Sequence, residues 1–387
     1  MESHIIIAES RVDVKPPADF FETILGNRMV VEKIGMRDFR NYAREEIPFS
    51  PKINFITGGN AEGKTNLLEG VYFCCIGKSQ RAKDKELISF DKPAGKLLLR
   101  GKNAFGEVEI GIRLSRKENK SVLLNGISVK RTAELLGNID VVYFSPDELK
   151  LIKDAPQSRR RFLDTDISQI YKQYYDALTR YNKILLQRNN LLKKRALASV
   201  RDTVEVWDRQ LAKFACVIVR YREKFLEKLA PYAAEVHKTL SSGKEELSVS
   251  YACTSKRDPA EFAAQLAEKL ERDFELGFTS VGPHRDDIRI AVNGTDVRMY
   301  GSQGQQRSAA LSLKLAELRL FREIVGEYPV LILDDVLSEL DLERQRNLLK
   351  LCVSQTLISA AHVDESLFRE FDCNVIRIKS GTLLREE

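Results

Sequence analysis

Apolar positions along the chain follow two different periods, and each period predicts a different kind of element. Mostly apolar runs at residues 53–56 and 330–333 predict buried strands, whereas alternating runs at 96–101 and 107–114 predict strands with one exposed face. Asn125-Gly126 is a type I′ hairpin signal. These blocks predict an α/β fold in which an antiparallel β layer lies beside a mixed sheet.

The apolar period changes to that of amphipathic helices between residues 156 and 284. Two series show heptad-like spacings of three and four residues, and Arg188 and Lys228 occupy skipped positions. The series are Ile167, Tyr171, Tyr174, Leu178, Tyr181, Leu185 and Leu192, then Trp207, Leu211, Phe214, Ile218, Tyr221, Phe225 and Tyr232. We expect two helices of about 26 residues, each about 39 Å long, joined across residues 193–203. Their tyrosines are expected to pack in the core rather than stack on bases.

The sequence TGGNAEGKTN follows the strand predicted at 53–56 and precedes a helical run of apolar residues. It fills the pattern G-x-x-x-x-G-K-[ST] with Gly58, Gly63, Lys64 and Thr65. In this pattern backbone N–H groups hold phosphates, the lysine reaches the β- and γ-oxygens, and the hydroxyl meets Mg²⁺. The alternative is an ordinary glycine turn before a helix. The predicted ATP-binding residues are Gly58, Gly59, Asn60, Ala61, Glu62, Gly63, Lys64, Thr65 and Asn66.

Two carboxylates, Asp334 and Asp335, end the apolar run at 330–333. A buried parallel strand delivers such groups to the carboxyl edge of its sheet, where ligands bind in α/β folds. We expect Asp334, directly or through water, to hold Mg²⁺ with the hydroxyl of Thr65, and Asp335 to orient or deprotonate the attacking water. The alternative is a strand that runs into an Asx turn. Because Lys64 and Asp334 are far apart in sequence, a large insertion must separate the two halves of this site.

A capping box, S-x-x-Q, is formed by Ser302 and Gln305 ahead of a long helical pattern. Such a helix start offers a hydroxyl, the flexible Gly304 and unpaired N–H groups at the positive end of the helix dipole. If this helix start faces the γ-phosphate held by a second subunit, ATP binding stabilises a homodimer. The alternative is a well-capped helix with no further role.

The composition is that of a globular protein. Of 387 residues, 43% are hydrophobic and 30% are charged, and no apolar run approaches the roughly 20 residues of a membrane span. The six cysteines have no paired C-x-x-C spacing, so neither a zinc ribbon nor a disulfide framework is indicated, and we expect a cytoplasmic protein. The net charge of +6 permits an anionic partner such as DNA. Basic clusters occur at Lys78, Arg81, Lys83 and Lys85, at Arg159, Arg160 and Arg161, and at Lys193, Lys194 and Arg195.

Four segments are predicted from these patterns. Residues 1–28 contain Pro16-Pro17 and no helical period, so they form a loose extension. Residues 29–155 carry the phosphate loop, and 156–284 form the helical arm lobe. Residues 285–387 form the second half of the ATPase lobe, with the capped helix and the acidic strand.

Several short motifs together resemble the RecF family of bacterial recombination mediators. They are FRNY, GKTNLLEG, PDEL followed by RRRFLD, GPHRDD, SQGQQ and SELD. SQGQQ is similar to the signature motif of ABC-type ATPases, and SELD is similar to their D-loop. The resemblance extends from Met29 to the C-terminus and so covers almost the whole chain. It implies a P-loop ABC-type ATPase head like those of chromosome-structuring ATPases, with a short helical lobe in place of a long arm.

The resemblance also implies roles for individual residues. It assigns the phosphate loop to ATP and Mg²⁺, Ser302 and Gly304 to the γ-phosphate of the partner subunit, and Asp334 to the metal. Asp335 stands where many relatives have the longer glutamate, which implies slow hydrolysis. Asp147 or Glu148 lies near the position of the Q-loop glutamine. His362 stands either at the switch-histidine position or in an exposed loop.

The function implied by the resemblance is ATP-dependent dimerisation on duplex and gapped or junction DNA, with a weak, DNA-stimulated ATPase. Cooperation with RecR and RecO in loading RecA, and support of the SOS response, are implied in the same way. Two alternatives belong to other classes. One is the ATP-binding subunit of a transport-type ABC complex, and the other is a scaffold that binds nucleotide without hydrolysing it.

Overall fold

The computed structural model describes residues 28–193, 197–340, 342–361 and 363–384. Except for Arg28, the predicted N-terminal extension lies outside the described residues, and so do Lys194, Arg195 and His362. The boundaries of the predicted segments therefore stay predictions. Across the described ranges, no helix is both long and apolar enough to cross a membrane.

The described chain contains runs of consecutive strands and runs of consecutive helices. The strands are β1 (Val30–Phe39), β2 (Tyr42–Pro48), β3 (Ile53–Thr57), β4 (Ala94–Asn103), β5 (Gly106–Ser115), β6 (Ser121–Leu124), β7 (Ile127–Val129), β8 (Val141–Phe144), β9 (Leu247–Ala252), β10 (Asp287–Val292), β11 (Thr295–Asp296), β12 (Val330–Asp334), β13 (Thr356–Ala360), β14 (Cys373–Lys379) and β15 (Thr382–Leu383). The helices are α1 (Lys64–Ile76), α2 (Lys150–Lys153), α3 (Pro156–Ile170), α4 (Lys172–Leu192), α5 (Leu197–Leu240), α6 (Pro259–Glu268), α7 (Leu270–Leu276), α8 (Val297–Tyr300), α9 (Gln303–Val325), α10 (Leu342–Leu351) and α11 (Glu365–Glu370).

The central sheet has the strand order β15-β14-β3-β13-β12-β8 and is parallel except for β15. Parallel strands covered on both faces are apolar throughout, and every residue of β12 is buried. Strand β13 pairs with both β3 and β12, so the carboxyl ends of these three strands meet at one edge. This topology brings the phosphate loop after β3 close to the carboxylates that end β12.

The second large sheet is antiparallel, with the order β2-β1-β4-β5-β6-β7, and it packs against helix α1. Alternate residues of β4 and β5 are buried, as the sequence pattern predicts. Helix α1 is buried on nearly all sides because it lies between the two sheets. The predicted hairpin is confirmed, since Asn125 and Gly126 have φ values of 49° and 80°. The predicted α/β class with an antiparallel layer is therefore confirmed.

The helical lobe contains the two predicted helices, but with different bounds. The pattern that starts at Ile167 does not form one helix, because the chain leaves the helical conformation at Tyr171 between α3 and α4. The expected length of about 26 residues is wrong for α5, which has 44 residues and therefore extends about 66 Å. Helix α5 continues through Pro231 because apolar residues at helical spacing beyond it, including Leu240, are buried. Tyr174 and Tyr181 are buried, which confirms their packing role.

Arg188, the skipped position of the first series, lies at the centre of a buried polar network. Its side chain is fully buried and donates to Asp208 at 2.6 Å, Asp273 at 2.7 Å and Thr279 at 2.9 Å. These partners come from α5, α7 and the loop after α7, so the network joins separate parts of the lobe. A buried guanidinium is tolerated only when its donors are satisfied in this way.

Candidate nucleotide site

The phosphate loop has a backbone that requires glycine at two positions. Gly58 and Gly63 have φ values of 152° and 115°, and Ala61 between them has a φ of 64°. A Cβ atom on Gly58 would collide with the carbonyl of Ile378, and one on Gly63 would lie 2.6 Å from Nδ2 of Asn41. Glycine is therefore required at both positions, and the loop turns directly from β3 into the N-terminus of α1.

Two residues of the FRNY motif hold this loop from outside. Nδ2 of Asn41 donates to the carbonyl oxygen of Glu62 at 3.1 Å, and the hydroxyl of Tyr42 donates to the carbonyl oxygen of Gly63 at 3.0 Å. The N–H of Gly381 donates to the same Glu62 oxygen at 2.8 Å. In the sequence, FRNY is recognisable only as a motif of the family. The structure shows that its last two residues position the phosphate loop.

Lys64 and Thr65 form the two polar contacts at the start of α1. Nζ of Lys64 donates to the carbonyl oxygens of Gly58 and Gly59 at 2.8 and 2.6 Å, so the ammonium group lies across the loop. Oγ1 of Thr65 donates to Oδ1 of Asp334 at 2.8 Å, although 269 positions separate the two residues. The structure thus brings together the two halves of the predicted site.

Asp334 is the most densely bonded carboxylate of the site. It is 1% exposed, and besides Thr65 it accepts from Oγ of Ser359 at 2.6 Å, the hydroxyl of Tyr143 at 2.9 Å and the guanidinium of Arg81 at 2.9 Å. Burial raises the pKa of Tyr143, and the adjacent Asp334 charge raises it further, so Tyr143 stays a protonated donor. A hydroxyl beside an oriented carboxylate is an oxygen donor set that fits Mg²⁺.

Sequence reasoning missed Tyr143, Ser359 and Arg81 as members of this site. Tyr143 lies on β8 and Ser359 on β13, the two neighbours of β12 in the central sheet. Polar residues near the carboxyl ends of predicted parallel strands are the signal that could have found these two. Arg81 has no such signal, because it lies in a run of basic residues after α1.

The basic clusters are only partly surface charge. Arg81 bonds to Asp334, as described, and Arg159 is 3% exposed and forms two bonds to Asp287, at 2.5 and 2.9 Å. Arg159 is therefore not a surface charge that could contact DNA, whereas Arg81 remains exposed although it bonds to Asp334. Burial of a guanidinium needs a facing carboxylate, and that partner cannot be seen in a local sequence window.

Asp335 and Asp334 face different surroundings. Asp335 is exposed and has a left-handed backbone with φ of 55°, and its N–H donates to both the carbonyl and the hydroxyl oxygen of Ser359. The carbonyl of Asp335 accepts from the hydroxyl of Ser338 at 2.9 Å. The carboxylate of Asp335 therefore remains available at the edge of the site.

The predicted capping box is confirmed at the start of α9. Oγ of Ser302 accepts from the N–H of Gln305 at 3.2 Å, and the side chain of Gln305 accepts from the N–H of Ser302 at 3.0 Å. Ser302 and Gly304 line a surface depression whose other walls come from the end of α5 and from α10. The residues that line this depression include none of the phosphate loop.

Asp147 and Glu148 lie next to the site on a short helical turn. Asp147 is exposed, 3.0 Å from Nζ of Lys150 and 3.9 Å from Nε of Arg81. Glu148 lines a small polar cavity together with Tyr143 and other residues, and burial raises its pKa although Lys314 opposes the shift. Their assignment to the Q-loop position stays a prediction, and so does that of His362.

Comparison with known proteins gives the family of this fold. A family model described as the RecF/RecN/SMC N terminal domain matches residues 30–361. The chain is 41% identical over 359 residues to the DNA replication and repair protein RecF of Lachnoclostridium phytofermentans, covering 92% of this chain and 99% of that protein. The chain belongs to the RecF family. The RecF protein of Clostridium beijerinckii is 40% identical over 366 residues, with 92% and 99% covered.

Solved structures agree with membership of the RecF family. The structure of the recombination mediator protein RecF-ATP in the RecFOR pathway has a TM-score of 0.83 at 34% identity, covering 93% of this chain and 98% of that chain. The Smc head domain of Pyrococcus furiosus has a TM-score of 0.55 at 16% identity, covering 92% of this chain and 95% of that chain, and shows the shared fold alone. The chain therefore has the ABC-type ATPase head fold of the RecF and SMC proteins, as the motifs predict.

Proposed function

We propose that this chain is an ATP-dependent DNA-binding protein of recombinational repair and replication-fork maintenance. ATP binding pairs two copies on duplex DNA at gaps or junctions, and slow hydrolysis releases them. The observation that carries the proposal is the contact between Thr65 and Asp334 at the end of a glycine-rich loop that also holds Lys64. A relative with 34% identity and the same fold has been solved as RecF-ATP, which supports ATP as the nucleotide.

The residues of one copy would bind the nucleotide as follows. The loop residues 58–66 and the N-terminus of α1 surround the phosphates with N–H donors. Lys64 supplies a mobile positive charge, and Thr65 and Asp334 would hold Mg²⁺, which neutralises phosphate charge when it is bound. Tyr143 and Ser359 hold the Asp334 carboxylate in one orientation through hydrogen bonds of 2.9 and 2.6 Å.

A second copy would complete the site with the start of α9. Ser302, Gly304 and the first N–H groups of a 23-residue helix form a polar tip with the positive end of a helix dipole. The tip lines a surface depression whose other residues do not belong to the phosphate loop. This separation favours a nucleotide held between two copies, in which each copy supplies one half.

Asp335 would act on the attacking water, and Asp335→Asn tests this role. Asparagine tolerates the left-handed backbone, so we expect a folded protein whose ATP hydrolysis falls about 100-fold while its ATP-bound dimer persists longer. Phosphate release and the decay of the dimer after removal of free ATP measure the two effects. Asp91→Asn is a matched control, because Asp91 is exposed and also left-handed, with φ of 61°. Unchanged hydrolysis in Asp335→Asn would exclude Asp335 as the group that activates water.

In the cell, we propose that this chain acts in the RecFOR pathway, which the names of its relatives describe. We infer cooperation with RecR and RecO in loading RecA on single-stranded DNA, support of the SOS response, and a cytoplasmic location. The family membership and the name RecFOR pathway of the related structures support these partners.

Binding to DNA in defined nucleotide states tests the proposed function. Duplex, single-stranded and gapped DNA are titrated with the protein in ATP, in ADP and without nucleotide. We expect ATP to strengthen binding to duplex and gapped DNA, with little dependence on base sequence and a steep loss with salt. A transport-type subunit would not bind DNA in any state. A scaffold without turnover would bind DNA with ATP but release no phosphate.

A further inference from the structure

The outer face of the antiparallel sheet carries four cations in one cross-strand row. Arg44 on β2 pairs with Arg37 on β1, Arg37 pairs with Lys96 on β4, and Lys96 pairs with Arg113 on β5. We call these four residues the basic row. All four are exposed, and residues directly paired across strands present their side chains on the same face. Like charges placed opposite one another destabilise a sheet, so the basic row lowers the stability of the fold and is not explained by folding.

Cations elsewhere on the same face are balanced by acids. Lys33 bonds to Glu46 at 2.8 Å, Arg100 to Glu109 at 2.7 Å and Lys102 to Glu32 at 2.5 Å. Within the described part of the chain, one carboxylate lies within 4.0 Å of a cation of the basic row, that of Asp38, 3.8 Å from Nε of Arg37. The sheet therefore neutralises its neighbouring cations and leaves the basic row in excess.

The cross-strand row next to the basic row has two positions without side chains. In that row Gly35 and Gly111 pair with Leu98 from either side. Neither glycine has a left-handed backbone. A Cβ atom on either would lie 3.6–3.7 Å from its nearest neighbouring atom, which is an ordinary contact. By contrast, a Cβ on Gly95 or Gly101 would collide with a backbone carbonyl. The fold therefore does not require glycine at 35 and 111. Their missing side chains leave room for a partner to approach the sheet beside the cations.

We propose that the basic row binds the sugar-phosphate backbone of duplex DNA. This inference rests on the proposed function and names its contact surface. Neighbouring strands lie about 4.8 Å apart, so the four cations span about 14 Å. One strand of a duplex advances about 3.4 Å per phosphate, so roughly four phosphates fit this length. Because the contact is with phosphates, it fixes position on the DNA and reads no sequence.

Two triple variants with the same loss of charge test the basic row. Arg37→Gln, Lys96→Gln and Arg113→Gln together remove three cations of the row, whereas Lys33→Gln, Arg100→Gln and Lys102→Gln remove three cations that are paired with acids. Binding of the full-length protein to a duplex of about 30 base pairs is measured with ATP over a series of salt concentrations. The slope of log K against log salt is negative, and each lost phosphate contact reduces its magnitude by about 0.9. We expect a decrease of about 2.7 for the row variant and less than 1 for the control.

Each outcome of this experiment has a definite meaning. Equal decreases in the two triple variants would overturn the row as a specific contact, and so would an unchanged slope in the row variant. In both cases ATP-dependent DNA binding by the unaltered protein would still support the proposed function. No DNA binding by the unaltered protein would contradict the proposed function itself. If the row variant does not fold, Lys96→Gln alone, within the row, is expected to reduce the magnitude of the slope by about 0.9.

Discussion

Lys64→Met is expected to abolish ATP binding at ordinary nucleotide concentrations. The ammonium group lies within the loop, 2.8 and 2.6 Å from two of its carbonyl oxygens, where it is positioned to move onto phosphate oxygens. Charge-assisted hydrogen bonds contribute about 1.5–3 kcal/mol each, so losing two of them weakens ATP binding by about 100-fold or more. Methionine retains the length and apolar stem of lysine, so the loss comes from the charge. Titration with a fluorescent ATP analogue measures the affinity.

Lys52→Met is the matched control for this substitution. Lys52 lies just before β3, outside the loop, and forms an exposed ion pair with Asp372. We expect the control to bind ATP with the affinity of the unaltered protein. ATP binding by Lys64→Met within about threefold of the unaltered protein would mean that the loop does not hold the triphosphate. Thermal melting of both variants checks that they are folded.

Ser302→Arg is expected to separate ATP binding from dimer formation. The phosphate loop of the same copy is intact in this variant, so ATP affinity should be unchanged within about twofold. The large arginine replaces a small hydroxyl at the tip of α9 and blocks the approach of a partner's phosphate to the first N–H groups. We expect the ATP-dependent dimer to disappear, as measured by light scattering at saturating ATP.

Ser302→Ala controls for the loss of the helix cap. Alanine removes the bond to the N–H of Gln305 and costs about 1 kcal/mol of stability, but it adds no bulk. We expect Ser302→Ala to weaken the dimer much less than Ser302→Arg does. A full dimer of Ser302→Arg with ATP would show that the tip of α9 faces away from the nucleotide.

The phosphate loop and the acidic strand could be predicted because their chemistry lies in short, contiguous patterns. The capping box at Ser302 and the hairpin at Asn125 are local in the same sense, and the structure confirms both. The antiparallel layer could be predicted from alternation in β4 and β5, which reports one exposed face. In each case neighbouring residues decide the conformation.

The donors around Asp334 could not be predicted because they depend on tertiary contacts. Tyr143 and Arg81 are 191 and 253 positions away from Asp334, and only the strand order of the central sheet brings Tyr143 beside it. Helix α5 is longer than predicted at both ends, because it begins at Leu197 within the predicted connection and continues past Pro231. The extension at its C-terminal end was hidden for a different reason. Pro231 normally marks a helix end, but packing of the residues beyond it offsets the lost hydrogen bond.

The most direct test of ATP-dependent pairing is the molar mass of the protein in solution. Light scattering coupled to size-exclusion chromatography is carried out with ATP, with ADP and without nucleotide, using Asp335→Asn beside the unaltered protein to slow hydrolysis. The chain has a mass of 44.1 kDa, and we expect twice this mass with ATP and the monomer mass otherwise. A monomer mass for both proteins at saturating ATP would contradict the nucleotide held between two copies.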